Sequence, residues 1–334
     1  MSGRRVGCVL GAWAEAIPWA KANGSTDLAS GAREYSPQSR QSESGFGLSH
    51  GSEADSGRED RLVTTATERW RAQVEAHHAQ TEKARVDADE EDDFWAPIAS
   101  QFRDNPSRED DPVLNQVVAW VDAESTLLDV GGGAGRFAIP LAQRCREVVV
   151  AEPSSSMLET LKSAASDAGV TNVRSVQTNW EEADVDVADV VLCAHVVYGV
   201  TEIEPFMRKL AESARGRVVI VSHTVAPISV AAPFWKAVHG EERILLPALP
   251  ELVPVLWEMD VFPDVTMVPA TQQRRLPDRD IALTWLRRMT WVTPDSEKDR
   301  VLQKELDAVF DAEEGGYTLR RARSQQGIVT WLTE

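Results

Sequence analysis

The chain has 334 residues, 43% of them hydrophobic, and carries 35 Lys and Arg against 53 Asp and Glu, a formal net charge of −18. No apolar run approaches the roughly 20 residues needed to cross a bilayer, and no basic stripe offsets the acid, so neither a membrane nor a nucleic-acid backbone is an expected partner. The three cysteines, Cys8, Cys145 and Cys193, fit no zinc or disulfide spacing, which suits a reducing, cytoplasmic setting with Cys145 and Cys193 as small buried hydrophobes.

In chain order, Arg4 and Arg5 precede an apolar stretch at residues 6–13 that is short, contains Gly7 and Gly11 and runs into Glu15. Such flanks argue against a secretory signal. Residues 22–60 are rich in Ser, Gly, Glu and Arg without apolar periodicity, so residues 1–60 are read as a disordered leader. Leu62, Ala66, Trp70, Val74 and His78 then recur every four residues, predicting an amphipathic helix to about Arg85. The acidic run at residues 87–93 reads as a solvated link. Phe94, Trp95, Ile98 and Phe102 restore apolar character, and residues 61–110 form an N-terminal helical and linker region. Asp111-Pro112 is a helix start with proline in the first turn, followed by Leu114, Val117, Val118 and Val121 on one face.

From residue 126 the pattern alternates. Buried strands are predicted at 126–130, 147–151, 173–177, 189–194 and 217–222, with helices between them that carry Phe137, then Met157, Leu158, Leu161 and Ala165, then Ile203, Phe206, Met207, Leu210 and Ala214. Strands alternating with helices define right-handed crossover units on a parallel sheet. Residues 111–228 are the core of that sheet. The remainder, 229–334, reads as covering helices at 233–242, 249–259, 278–289 and 295–310, with closing strands at 265–268 and 327–332. The fold class is therefore α/β, a doubly wound, mostly parallel, seven-stranded sheet with an N-terminal helical region and helical insertions. Ligands of such sheets lie at the carboxyl ends of the strands.

The chemistry concentrates where the first strand ends, at Leu127-Leu128-Asp129-Val130-Gly131-Gly132-Gly133-Ala134-Gly135-Arg136-Phe137. Glycines after a strand permit positive φ and close approach of a ligand to backbone, and a helix start beyond them offers unpaired N–H groups. Glu152, about 20 residues on and just past the second strand, is placed to meet ribose hydroxyls. In the dinucleotide pattern a third glycine would fall at Arg136. The register that fits is instead Gly131-x-Gly133-x-Gly135, preceded by Asp129.

In this register the sequence resembles the class I S-adenosylmethionine-dependent methyltransferases, with a Rossmann-like core over roughly residues 111–223 and a looser match at 327–332. Val148-Val149-Val150-Ala151-Glu152-Pro153 with Met157 is similar to the family's second motif, where the acid holds the ribose. Asn179 and Trp180 stand where the family contacts adenine, and they depart from its usual Asp-Ala. Residues 189–195 resemble the fourth-strand motif beside the methionine part of the cofactor. More narrowly, residues 194–200 and 235–241 are similar to segments of bacterial methyltransferases with unassigned substrates. The resemblance implies S-adenosyl-L-methionine as cofactor, held by Asp129, Gly131, Gly133, Gly135, Glu152, Pro153, Met157, Asn179, Trp180, His195 and Tyr198. Trp95 would belong to a lid folded over it.

The implied reaction is in-line transfer of the sulfonium methyl group. It mainly requires donor and acceptor held near attack distance, and a hydroxyl acceptor also needs a base. Candidates are His195, Tyr198, His223 and His239, of which His195 and His239 are favoured. His77-His78 lack a third ligand, so no metal is expected. Trp70, Trp95, Trp235, Trp257 and Trp285 are core residues or the lining of an aromatic pocket. The acceptor is expected to be a small molecule with an oxygen, nitrogen or carbon nucleophile. Two other readings stay open, a non-catalytic S-adenosylmethionine-binding protein and a nicotinamide-dependent oxidoreductase.

Overall fold

A computed structural model describes residues 64–85, 93–268, 275–276, 278–311, 316–318 and 325–333. The expected leader at 1–60, the signal-like stretch within it and the acidic run except Asp93 lie outside the described residues.

Strand β1 (Thr126–Val130) is buried along almost its whole length, as are β2 (Glu147–Ala151) and β4 (Ala188–Ala194). Continuous apolar runs of this kind need cover on both faces, and the cover comes from helices. Leu127 faces one layer, where it packs with Val117 of α2 (Pro112–Val118), Leu141 of α3 (Ala138–Ala142) and Leu161 of α4 (Ser155–Asp167). Leu128 faces the other, with Trp70 and Val74 of α1 (Ala66–Arg85), Ile203 and Phe206 of α5 (Ile203–Glu212) and Leu252 of α7 (Leu249–Glu258).

Together with β3 (Val173–Val176), β5 (Ala214–His223), β6 (Asp264–Val268) and β10 (Gln326–Leu332), these strands form a seven-stranded sheet in the order β3-β2-β1-β4-β5-β10-β6. The first five are parallel, whereas β10 runs antiparallel to both β5 and β6, with Ile328 opposite Val221 on one side and Thr266 on the other. The doubly wound, mostly parallel, seven-stranded sheet is thus present. The order reverses between β1 and β4, and at such a switch point the two outgoing connections part and leave a crevice.

A second apolar cluster stands beyond the carboxyl ends. It gathers Trp95 and Phe102, Phe234 of α6 (Ala232–His239), Trp285 of α8 (Arg279–Thr290) and Leu302 of α9 (Glu297–Ala308), and it reaches the core at Ala134 and Met157. A small sheet of β7 (Arg275–Leu276), β8 (Phe310–Asp311) and β9 (Gly316–Thr318), with no counterpart in the sequence reading, completes this region. Its two- and three-residue strands are too short to show an alternation.

Two registers differ from expectation. In α1 the buried face passes from Val74 to His77, not His78, because a strict four-residue repeat drifts off a 3.6-residue turn. Ala214, expected on the face of α5, is the first residue of β5 and pairs with Ala188. Among the described residues, Cys145 and Cys193 are free buried thiols, and no helix is long and apolar enough to cross a membrane.

Candidate functional site

The turn after β1 has the backbone that its glycines allow, with φ of 68° at Gly131, 54° at Gly133 and 85° at Gly135. Two of these positions are also closed to any side chain. A Cβ on Gly131 would stand 2.5 Å from Val196 Cγ2, and one on Gly135 would stand 2.3 Å from Leu161 Cδ1. The loop thereby lies directly against the chain just beyond β4 and against the middle of α4. It borders a solvent-open cleft lined by Asp129, Gly131, Gly132, Gly133, Ala134 and Ala194, together with Phe102, Arg136 and Phe137.

Two carboxylates sit beneath the loop. Asp129 is buried, and neither of its oxygens meets a donor at hydrogen-bonding geometry. Burial, then the nearby Glu152 carboxylate, push its pKa up to about 7 against a weaker pull from the Ala138 amide. A buried carboxylate without donors is costly, so an orphan on a cleft wall marks where a ligand's donors belong. Glu152 accepts from Gly133 N at 3.1 Å and from Ser154 N at 2.9 Å. Burial raises it to about 7 even so, with the two amides opposing and Asp93 adding to the rise.

Arg136, the residue that breaks the dinucleotide register, anchors the loop. Its Nη2 donates to Asp111 Oδ2 at 2.7 Å, and Arg108 Nε reaches the same oxygen at 2.9 Å. Asp111 Oδ1 accepts from the Val113 and Leu114 amides, capping α2. Burial opposes charge on Asp111, but Arg136, the Leu114 amide and Arg108 together hold it below the usual carboxylate range.

Beside the cleft, the chain leaves Ala194 through His195, which takes a left-handed conformation with φ 62°. That geometry is uncommon for a residue with a side chain. The His195 ring stacks on His223, at the end of β5, with centroids 4.7 Å apart. Tyr198 Oη lies 3.3 Å from His195 Nδ1 and accepts from His223 N at 2.8 Å. All three side chains are buried. The ends of β4 and β5 therefore bring His195, Tyr198 and His223 together.

His239 is not part of that group in the described contacts. Its Nε2 donates to the Thr290 carbonyl at 2.7 Å, its ring rests on Trp235 at 4.2 Å, and burial lowers its basicity. Trp180 is also turned away, against Phe206 and beneath Lys209, with Asn179 at the start of the same short turn. Met157 is fully buried and shares a cluster with Trp95 and Ala134, while Pro153 is half-buried in the turn between β2 and α4. Trp95 and Trp285 pack in the outer cluster, Trp235 is buried against His239 and Arg243, and Trp257 is 55% exposed. His77 Nδ1 donates to the Ile244 carbonyl and Nε2 accepts from buried Arg243, both at 2.6 Å. Burial and then Arg243 depress His77 to about 3, and no metal-holding cluster is found among the described residues.

One residue of the site was misread. Asp93, assigned to a solvated link, is half-buried and accepts from Trp95 N at 2.9 Å, Ser154 Oγ at 2.9 Å and Ser156 N at 3.1 Å. The acidic run hid it, because a charge run carries no signal for the one member that turns inward.

Residues 127–216 match the methyltransferase domain family, and with the sheet order and the glycine loop above them the chain carries a class I S-adenosylmethionine-dependent methyltransferase domain. Among curated proteins it is similar to the uncharacterized methyltransferase YcgJ of Bacillus subtilis, 29% identical over 105 residues, 30% of this chain and 42% of that one. It is also similar to the 23S rRNA (uracil(1939)-C(5))-methyltransferase RlmD of Aliivibrio salmonicida, 36% identical over 74 residues, 22% of this chain and 17% of that one. A solved methyltransferase from Geobacter sulfurreducens in complex with S-adenosyl-L-homocysteine is 17% identical, covering 72% of this chain and 97% of its own with a TM-score of 0.45. The chain spans about two fifths of the length of the first curated relatives it matches.

Proposed function

We propose that the protein is an S-adenosylmethionine-dependent methyltransferase whose acceptor is a small molecule. The observation that carries the cofactor is the orphaned Asp129 carboxylate on a cleft wall made of left-handed glycine backbone. That acceptor fits a ligand with a cationic amine and hydroxyls to donate. Asp129 and the glycine loop would hold its methionine end, and Glu152 with Pro153 and Met157 its ribose side. Asn179 and the Trp180 backbone would meet the adenine. Bound there, S-adenosylmethionine supplies an electrophilic methyl group.

The protein's own work is to orient the acceptor and take its proton. His195 is the base of this reading, since it adjoins the cleft-lining Ala194 and shares a buried cluster with Tyr198 and His223. His239, engaged with Thr290, then stabilises the outer helices rather than touching the acceptor. A small acceptor is favoured by the net charge of −18, which repels a polyanion. Four relatives are named as 23S rRNA methyltransferases, but each of those matches is confined to 72–76 residues.

The test offers purified protein and methyl-labelled S-adenosylmethionine to the small-molecule and RNA fractions of a cell extract. Label in the small-molecule fraction is expected. Label in RNA overturns the acceptor class. Calorimetric binding of S-adenosylhomocysteine with no label in either fraction points to a non-catalytic binder, and binding of NAD instead points to an oxidoreductase.

A further inference from the structure

Glu152 is 0% exposed and lies outside the residues that line the cleft. A ribose can reach it only if something above it moves. What lies above it is the turn at Pro153–Ser156, whose Ser154 N donates to Glu152 Oε1 while its Ser154 Oγ donates to Asp93. Asp93 also takes the Ser156 and Trp95 amides, so a single carboxylate ties this turn to the segment 93–102. The tie continues to the cleft. The Trp95 ring meets Phe102 edge-on at 5.4 Å, and Phe102 lines the cleft together with the glycine loop.

We infer that Asp93 is a positioning residue that latches the segment 93–102 over the ribose side of the cofactor site, so that parting it from Ser154 and Ser156 admits and releases the cofactor. The inference rests on the reading that S-adenosylmethionine is held at Glu152. Physical chemistry favours a latch over a fixed brace here. Asp93 and Glu152 hold the same Pro153–Ser156 turn from two sides, and once Glu152 is ionised the two carboxylates repel, an influence on Glu152 weaker than its burial. Arg288 of α8 also holds the segment, at the Phe94 carbonyl and ring.

The experiment is stopped-flow tryptophan fluorescence of the full chain mixing with S-adenosylhomocysteine. Loss of a charge-assisted bond of the usual strength predicts that Asp93→Ala raises both association and dissociation rates by about tenfold. Kd then changes less than either rate. Asp93→Asn, which keeps one acceptor oxygen, should fall between, and it carries the test if the alanine variant does not fold. Hydrogen exchange should quicken at amides 94–102 and stay unchanged in α2. Unchanged rates overturn the latch, as does slower association with a lowered melting temperature, the mark of ordinary structural damage. Absence of S-adenosylhomocysteine binding by the unaltered protein overturns the Glu152 reading itself, and the latch with it.

Discussion

Glu152 gives a prediction with a sign and a size. In the ligand-free protein burial lifts it from 4.5 to about 7, a rise worth about 3 kcal/mol. A carboxyl raised on folding keeps its proton in the folded state where the unfolded chain has lost it. The ligand-free protein should therefore lose stability as pH climbs from about 4.5 through 7. Binding should show the opposite slope. Ribose hydroxyls donate best to the ionised carboxylate, so a group titrating near 7 gives about a tenfold gain in S-adenosylhomocysteine affinity between pH 6 and 8. Calorimetry at several pH values on the unaltered protein and on Glu152→Gln reads this directly. The glutamine variant should bind about tenfold more weakly at pH 8, one charge-assisted bond's worth, and keep only the slope contributed by Asp129, which also titrates near 7. The same affinity and the same pH slope in both proteins would refute the assignment of Glu152 to the ligand.

Other perturbations test the surroundings. Gly135→Ala places a Cβ 2.3 Å from Leu161 Cδ1 at φ 85°; overpacking with left-handed strain should cost about 2–4 kcal/mol in a urea melt, and an unchanged midpoint would contradict the loop geometry. Asp111→Ala strips the cap from α2 and leaves Arg108 and Arg136 without their shared oxygen, so a loss of about 3 kcal/mol is expected by denaturation. His195→Ala should abolish methyl transfer while S-adenosylhomocysteine affinity stays within about threefold, an effect below 1 kcal/mol. Full turnover in that variant, once an acceptor is known, removes His195 as the base.

The sheet and its cofactor loop were legible in the sequence because both are local. Strands β1 and β2 fall at the predicted residues, since an unbroken apolar run between turn residues has few other uses. Gly131, Gly133 and Gly135 announce themselves because a turn with positive φ excludes most other residues. Asp129 and Glu152 follow from spacing along two adjacent parallel strands. The tertiary structure alone decided which polar residues meet. His195, Tyr198 and His223 converge because β4 and β5 end side by side, whereas His239, equally plausible in sequence, is taken up by the Thr290 carbonyl 51 residues away. Trp180 is claimed by Phe206, and Asp93 leaves its acidic run to hold Ser154. Periodicity records which face of an element is apolar, but the partner of a polar side chain is fixed only when distant segments pack. The alternation of apolar runs and the glycine register thus define the sheet and its first turn, and only the packing of the strand ends and of the segment 93–102 decides which imidazoles stand beside that turn and that Asp93 joins Ser154 and Ser156.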